Sequence, residues 1–204
     1  MNAVPQEEVV SRLGKALPAL TSCIARAWAR YGEYPAELRM AHSSRSRASL
    51  IHDHAIDFAR QHFDVHPGSQ CQEIRKLFLV YFDAGIVVRF KKLDEKFRAS
   101  NIHTQQCMKF MDQLPLPSFG ETINLHVGYR LNRLQTDLEG IYLACPNGPT
   151  TNAWVMHIGN TASGDDALSL VPHLPIPPAP PATAKKVVKF APRKQDRGNG
   201  KASQ

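Results

Sequence analysis

At 204 residues, with 43% hydrophobic and 21% charged side chains, the chain has the make-up of one folded domain with appendages. No apolar run approaches the roughly 20 residues that a membrane-spanning helix needs, and residues 1–8 are acidic and polar where a secretory signal would be basic and then apolar. A cytoplasmic protein with no membrane partner is therefore expected. The formal net charge of +7 is concentrated: residues 184–204 hold seven basic side chains against Asp196, which leaves the rest of the chain close to neutral.

Residues 6–31 read as one helix or a kinked pair. Val10, Leu13, Leu17, Leu20, Ile24, Trp28 and Tyr31 recur at spacings of three and four, and Pro18 should bend or split the run. Residues 32–44, with Pro35, read as a loop. Ser43 or Ser44 can cap a second helix reaching His62, with Ile51, Ala55, Phe58 and His62 on one face. Residues 77–82 and 86–91, around Asp83-Ala84-Gly85, read as two strands and a tight turn. The first of these is apolar on both faces and should be covered on both sides. A short helix near 104–112 follows, then strands at 123–129, 141–145 and 153–158.

Beyond Gly159 the pattern stops. Six of the fifteen prolines fall in residues 171–181, an extended linker leading to the basic tail. The expected fold is α+β: N-terminal helices packed on a mainly antiparallel sheet of about five strands, with a disordered C-terminal tail. The expected organisation is a helical segment at 1–44, an α+β core at 45–160, and a Pro-rich linker and basic tail at 161–204. The tail reads as a solvated appendage, with weak, salt-sensitive contact to a phosphate backbone as the alternative.

No complete catalytic signature is present, so the sequence assigns no reaction, and it contains no cofactor motif. Cys23, Cys71, Cys107 and Cys145 form no CxxC pair. The first, third and fourth sit in apolar company, as small hydrophobes would. His52 and His54 lie on a helix at a spacing that points them apart, and Pro67 argues against a shared helix for His62 and His66, so no metal is expected. Cys107 with His103 is a weak nucleophile–base pair at a spacing of four.

A metal-dependent nuclease of the PD-(D/E)xK type is a sharper alternative. It places carboxylates on a helix and a hairpin, with a lysine just beyond, to hold a metal and activate water. Glu73 and Asp83 bracket the first strand of the hairpin and Lys91 lies on the second, but Arg89 stands where the last acid should be. That charge reversal would repel a divalent cation, which points to a degenerate relative that binds without cutting. Two basic clusters remain, Arg39, His42, Arg45 and Arg47 at the start of the second helix and Arg89, Lys91, Lys92 and Lys96 at the hairpin exit. Brought together, Arg45, Arg47, Arg89, Lys91 and Lys92 would make an anion or nucleic-acid site beside a helix N-terminus. Phe90, Phe97 and Phe119 are nearby aromatics that would suit base stacking or a core equally well.

The strings Arg45-Ser46-Arg47-Ala48-Ser49-Leu50-Ile51-His52-Asp53-His54 and Arg89-Phe90-Lys91-Lys92-Leu93-Asp94 resemble a family of small bacterial proteins. Asn124-Leu125-His126-Val127-Gly128-Tyr129-Arg130-Leu131 and Cys145-Pro146 with Trp154 fit the same pattern. Genes of that family lie beside one encoding a helix-turn-helix protein fused to an ImmA/IrrE-like metallopeptidase domain. The pairing is similar to Rosmer-type toxin–antitoxin modules with anti-phage activity. The resemblance implies a component of such a module, more readily the toxin, because the neighbour already carries the DNA-binding helix typical of an antitoxin. It implies binding to that cognate protein, with RNA or DNA as a further target, and it brings no catalytic residue with it. Trp28 and Tyr31 are residue types that anchor interfaces, and core packing explains them equally well.

Overall fold

A computed structural model describes residues 4–100, 104–116 and 119–159. The chain divides into two units, residues 1–170 and 171–204, and every described residue belongs to the first. The linker and basic tail expected at 161–204 lie outside the described residues.

Four helices come first: α1 (Gln6–Leu13), α2 (Ala16–Gly32), α3 (Ala36–Ala41) and α4 (Ser44–Phe63). The break in the first run falls at Gly14, which takes φ +41° after α1, and not at Pro18. Pro18 is the third residue of α2. There its missing N–H would have had no intrahelical acceptor, and its ring has no preceding turn to strike. The expected loop after α2 contains the short α3. Helix α4 begins as the serines suggested: the Ser43 side chain accepts a 3.1 Å bond from the Ser46 N–H.

Six strands follow, β1 (Ser69–Ile74), β2 (Leu77–Phe82), β3 (Ile86–Lys92), β4 (Ile123–Leu131), β5 (Leu138–Pro146) and β6 (Asn152–Gly159), with α5 (Gln105–Met111) between β3 and β4. They form one sheet in sequence order. All neighbours are antiparallel except β3 and β4, which run parallel, so the fold is α+β with a mainly antiparallel sheet. A parallel pair cannot be closed by a tight turn, and the chain crosses over through α5.

The strand missing from the sequence reading is β1. Its sequence, SQCQEI, is polar and carries no apolar alternation. Its turn to β2 is Arg75-Lys76, with φ +48° and +67°. Two positive φ values at a two-residue hairpin normally call for Asn-Gly, so neither the strand nor its turn had a local signature.

Alternate residues separate the two faces of the sheet. Phe78, Val80, Phe82, Ile86, Val88, Phe90, Leu125, Val127, Ile141 and Leu143 share one core with Val9, Leu13, Leu20, Ile24, Ile51, Ala55 and Phe63 of the helices. The helical segment and the sheet thus share one core. On the other face a smaller cluster joins Leu77, Leu79 and Val87 to Phe110 and Leu116. This double cover agrees with the apolar character of β2. Among the described residues no helix is long and apolar enough to cross a membrane.

Candidate anion-binding site

The sheet divides the five basic residues of the sequence reading into two groups. Arg47 and Lys92 meet on the helix-covered face at the start of α4. Arg47 donates to the Gln135 backbone oxygen at 2.6 Å and lies 3.4 Å from the Tyr31 hydroxyl. Lys92 donates to Gln135 Oε1 and Ser44 Oγ, both at 3.1 Å. These bonds tie the loop after β4 to the α4 N-terminus and give Arg47 and Lys92 protein acceptors of their own. Arg45 is exposed beside them. Tyr31 is 3% exposed inside the core and touches His42, while Trp28 packs against the same core. Tyr31 therefore offers no partner an anchor in this conformation.

Arg89 and Lys91 lie on the opposite face. Strand alternation sends both away from the helices, and the parallel register sets Arg89 beside His126 and Lys91 beside Gly128. Arg89 is 8% exposed and His126 2%, whereas Lys91 is half-buried. Above them α5, capped by Thr104 accepting from the Cys107 N–H, presents Cys107 and Phe110. The Arg89 guanidinium lies 5.1 Å from the Phe110 ring centre and donates to Cys107 Sγ at 3.7 Å. The His126 ring stacks on the same Phe110 at 5.1 Å and 22°. One aromatic ring thus positions both the guanidinium and the imidazole.

No carboxylate lies within ion-pairing distance of Arg89 or Lys91 among the described residues. Burial and the Arg89 charge pull Lys91 down to about 8, against a smaller opposing pull from Cys107. Burial also lowers Arg89 from its usual range. For His126, burial first and then Arg89 and Lys91 hold the imidazole neutral well below its ordinary value. His52 on α4 is lowered by burial and by Lys91 and Arg89, with Asp53 opposing. His126 Nε2 is buried without a hydrogen-bond partner among the described residues. Two residues earlier on β4, Asn124 is fully buried and satisfied: it donates to Phe110 O at 3.2 Å and accepts from Thr122 at 3.0 Å. Its backbone N–H donates to Gln113 Oε1 at 2.8 Å.

The β2–β3 ladder ends at Val80 and Val88, so the side of β3 facing β2 has no strand partner from Arg89 onward. A small cavity of about 10 Å³ touches His126, with Arg98, Met111, Pro146, Thr151 and Asn152 among its walls. That is room for one water.

The carboxylates of the nuclease pattern do not converge here. Glu73 pairs across the ladder with Phe78, which puts it on the helix-covered face, where it meets Arg60 at 3.4 Å. Asp83 sits in the turn before Ile86, and Lys91 lies five residues, roughly 16 Å, further along β3. His62 and His66 do approach, their rings 5.1 Å apart, but no group of three metal-binding side chains exists among the described residues. His103 lies outside them, and the partner Cys107 shows is Arg89. Phe90 is core, Phe97 packs on Tyr142 at 4.9 Å and Phe119 on Tyr81 at 5.0 Å.

The sequence reading missed His126 and Cys107 as members of this group. His126 carried only a misleading signal: it lies at the centre of a strictly alternating strand, on the polar face opposite Leu125 and Val127, which alternation alone would turn to solvent and which the crossover through α5 covers. No protein-family model matches the chain, and no curated protein or solved structure matches it.

Proposed function

We propose that this chain is a cytoplasmic component, more readily the toxin, of a bacterial toxin–antitoxin or anti-phage module. In this reading it acts by binding a cognate helix-turn-helix/ImmA-IrrE-like protein, with nucleic acid as a further binding target. One observation supports the nucleic-acid part: Arg89 and Lys91 lie on the covered face of a central strand, and no carboxylate among the described residues neutralises them. Burying a cation without a counter-ion costs free energy that a well-packed apolar residue would not. A phosphate supplies the missing charge and acceptors. The assignment to a defence module rests on the resemblance carried by residues 45–54, 89–94 and 124–131 and by Cys145, Pro146 and Trp154. Those segments are the first half of α4, the end of β3, most of β4 and the paired ends of β5 and β6.

A second reading, a degenerate PD-(D/E)xK-like nuclease or nucleic-acid-binding module, is favoured by the two-residue spacing of Arg89 and Lys91 on one face of β3. The positions of Glu73 and Asp83 favour binding over metal-dependent cleavage within it. Two experiments test these readings. Induction of the gene alone should arrest a bacterial host, and co-expression of the neighbour should relieve the arrest; normal growth in both cultures counts against the toxin assignment. A labelled RNA should shift in a salt-steep manner with the chain lacking residues 184–204, and the shift should vanish with Lys91→Met. A shift that requires the tail would place the binding there instead.

A further inference from the structure

The depth of the cationic row restricts which part of a nucleic acid can reach it. A surface laid flat on the protein would not touch a residue that is 8% exposed, as Arg89 is. A ligand group has to project inward. An internal phosphodiester is flanked by a sugar on each side and carries one negative charge. A terminal phosphate is held from one side only and carries about −1.5 to −2 at neutral pH.

The protein groups match the second kind. Arg89 and Lys91 bring two positive charges when both are protonated. The forces acting on them and on His126 come from burial, from one another and from Cys107, and no carboxylate among the described residues contributes. His126 adds a buried ring nitrogen with no partner, on the strand next to Arg89. A single water in the cavity that touches His126 would leave both cations uncompensated, since neither Arg89 nor Lys91 is among that cavity's walls. The row emerges toward solvent at the half-buried Lys91, where β3 has already lost its β2 neighbour.

We propose that Arg89, Lys91 and His126 form a seat for a phosphate monoester, the terminal phosphate of a nucleic-acid strand or of a nucleotide. The choice of a nucleic acid as its bearer rests on the function proposed above. The guanidinium and the ammonium each donate to a phosphate oxygen, and the neutral imidazole donates from Nε2 to another. Phe110 and Cys107 position the guanidinium and do not touch the ligand.

The test uses the full chain at fixed ionic strength, with four probes: inorganic phosphate, a mononucleotide, and one short oligoribonucleotide with and without a terminal phosphate. Thermal unfolding and calorimetric titration are the readouts. Phosphate should raise the unfolding temperature where chloride does not. The phosphorylated oligonucleotide should bind roughly 10- to 100-fold more tightly than its hydroxyl-ended twin. Arg89→Met should abolish that difference while leaving the unliganded protein as stable as before or more so, a combination that a merely structural arginine would not give. Lys91→Met should narrow the same difference and serves if Arg89→Met does not fold.

Equal binding of both oligonucleotides would overturn the seat and leave nucleic-acid binding standing. Phosphate and mononucleotide binding that depends on Arg89, with no oligonucleotide bound, would support the seat and remove the nucleic acid. No response to any of the four probes would overturn both.

Discussion

The two faces of the sheet are built on different terms. Beneath α1, α2 and α4 the inward residues are almost all aliphatic or aromatic, and the face is held by close packing. Beneath α5 the same strands present Arg89, Asn124 and His126, buried yet polar. Within that second face the contrast repeats at short range. Asn124 is satisfied on every side, whereas His126, two residues on, keeps a buried nitrogen without a partner. The difference separates polarity that shapes the fold from polarity left open for something else.

The largest expected effect lies on the helix-covered face. Phe90 is 1% exposed there, and Phe90→Ala should cost about 3–5 kcal/mol in urea denaturation. A much smaller loss would mean that this face is loosely packed and that the contrast between the faces is weaker than drawn. On the second face Asn124→Leu should cost about 1–3 kcal/mol, since it strands the acceptors and donors that Asn124 now serves. His126→Phe should move the other way, gaining about 1 kcal/mol by removing an orphaned polar atom while keeping a ring on Phe110. Measuring the two by the same denaturation sharpens the comparison most: losses of equal size would show that His126 is as structural as Asn124.

Two smaller effects complete the series. Lys76→Gly relieves a positive φ of 67° in the β1–β2 turn and should stabilise by about half a kcal/mol, visible as a small rise in melting temperature. Lys91 gives a pH signature. Its folded-state value near 8 lies below the ordinary 10.5, so between those values the unfolded chain holds a proton that the folded chain has released. Stability should therefore rise with pH from about 8 to 10.5 relative to Lys91→Met. A flat difference would show that Lys91 is well solvated. Phosphate affinity should fall over the same rise in pH, as the ammonium is lost.

Much of this architecture was legible in the chain. The α4 cap, the apolar β2 and the alternation of β4 each follow from local chemistry, and they stand where periodicity placed them. What was not legible depended on partners distant in sequence. β1 is a strand because β2 offers it a ladder, despite a polar sequence and a turn of Arg75-Lys76. Pro18 misled because its effect depends on where the helix begins. The basic residues were recognised individually, but which ones meet depends on the parallel register of β3 and β4. That register puts Arg89 beside His126, while the sheet itself separates Lys91 from Lys92. No periodicity within one segment reports such a pairing.

The parallel junction has a consequence for how the molecule assembles. β1–β3 and β4–β6 are each an up-and-down meander that can zip from short turns, and only the β3–β4 seam needs a crossover of some thirty residues to close. Closing a loop of that length costs more entropy than closing a hairpin turn, so the seam is expected to form late. Arg89 lies on one side of the seam and His126 on the other. A chain severed within the crossover should accordingly yield one piece with both cations, Arg89 and Lys91, and another with His126, which come together again only on reassociation.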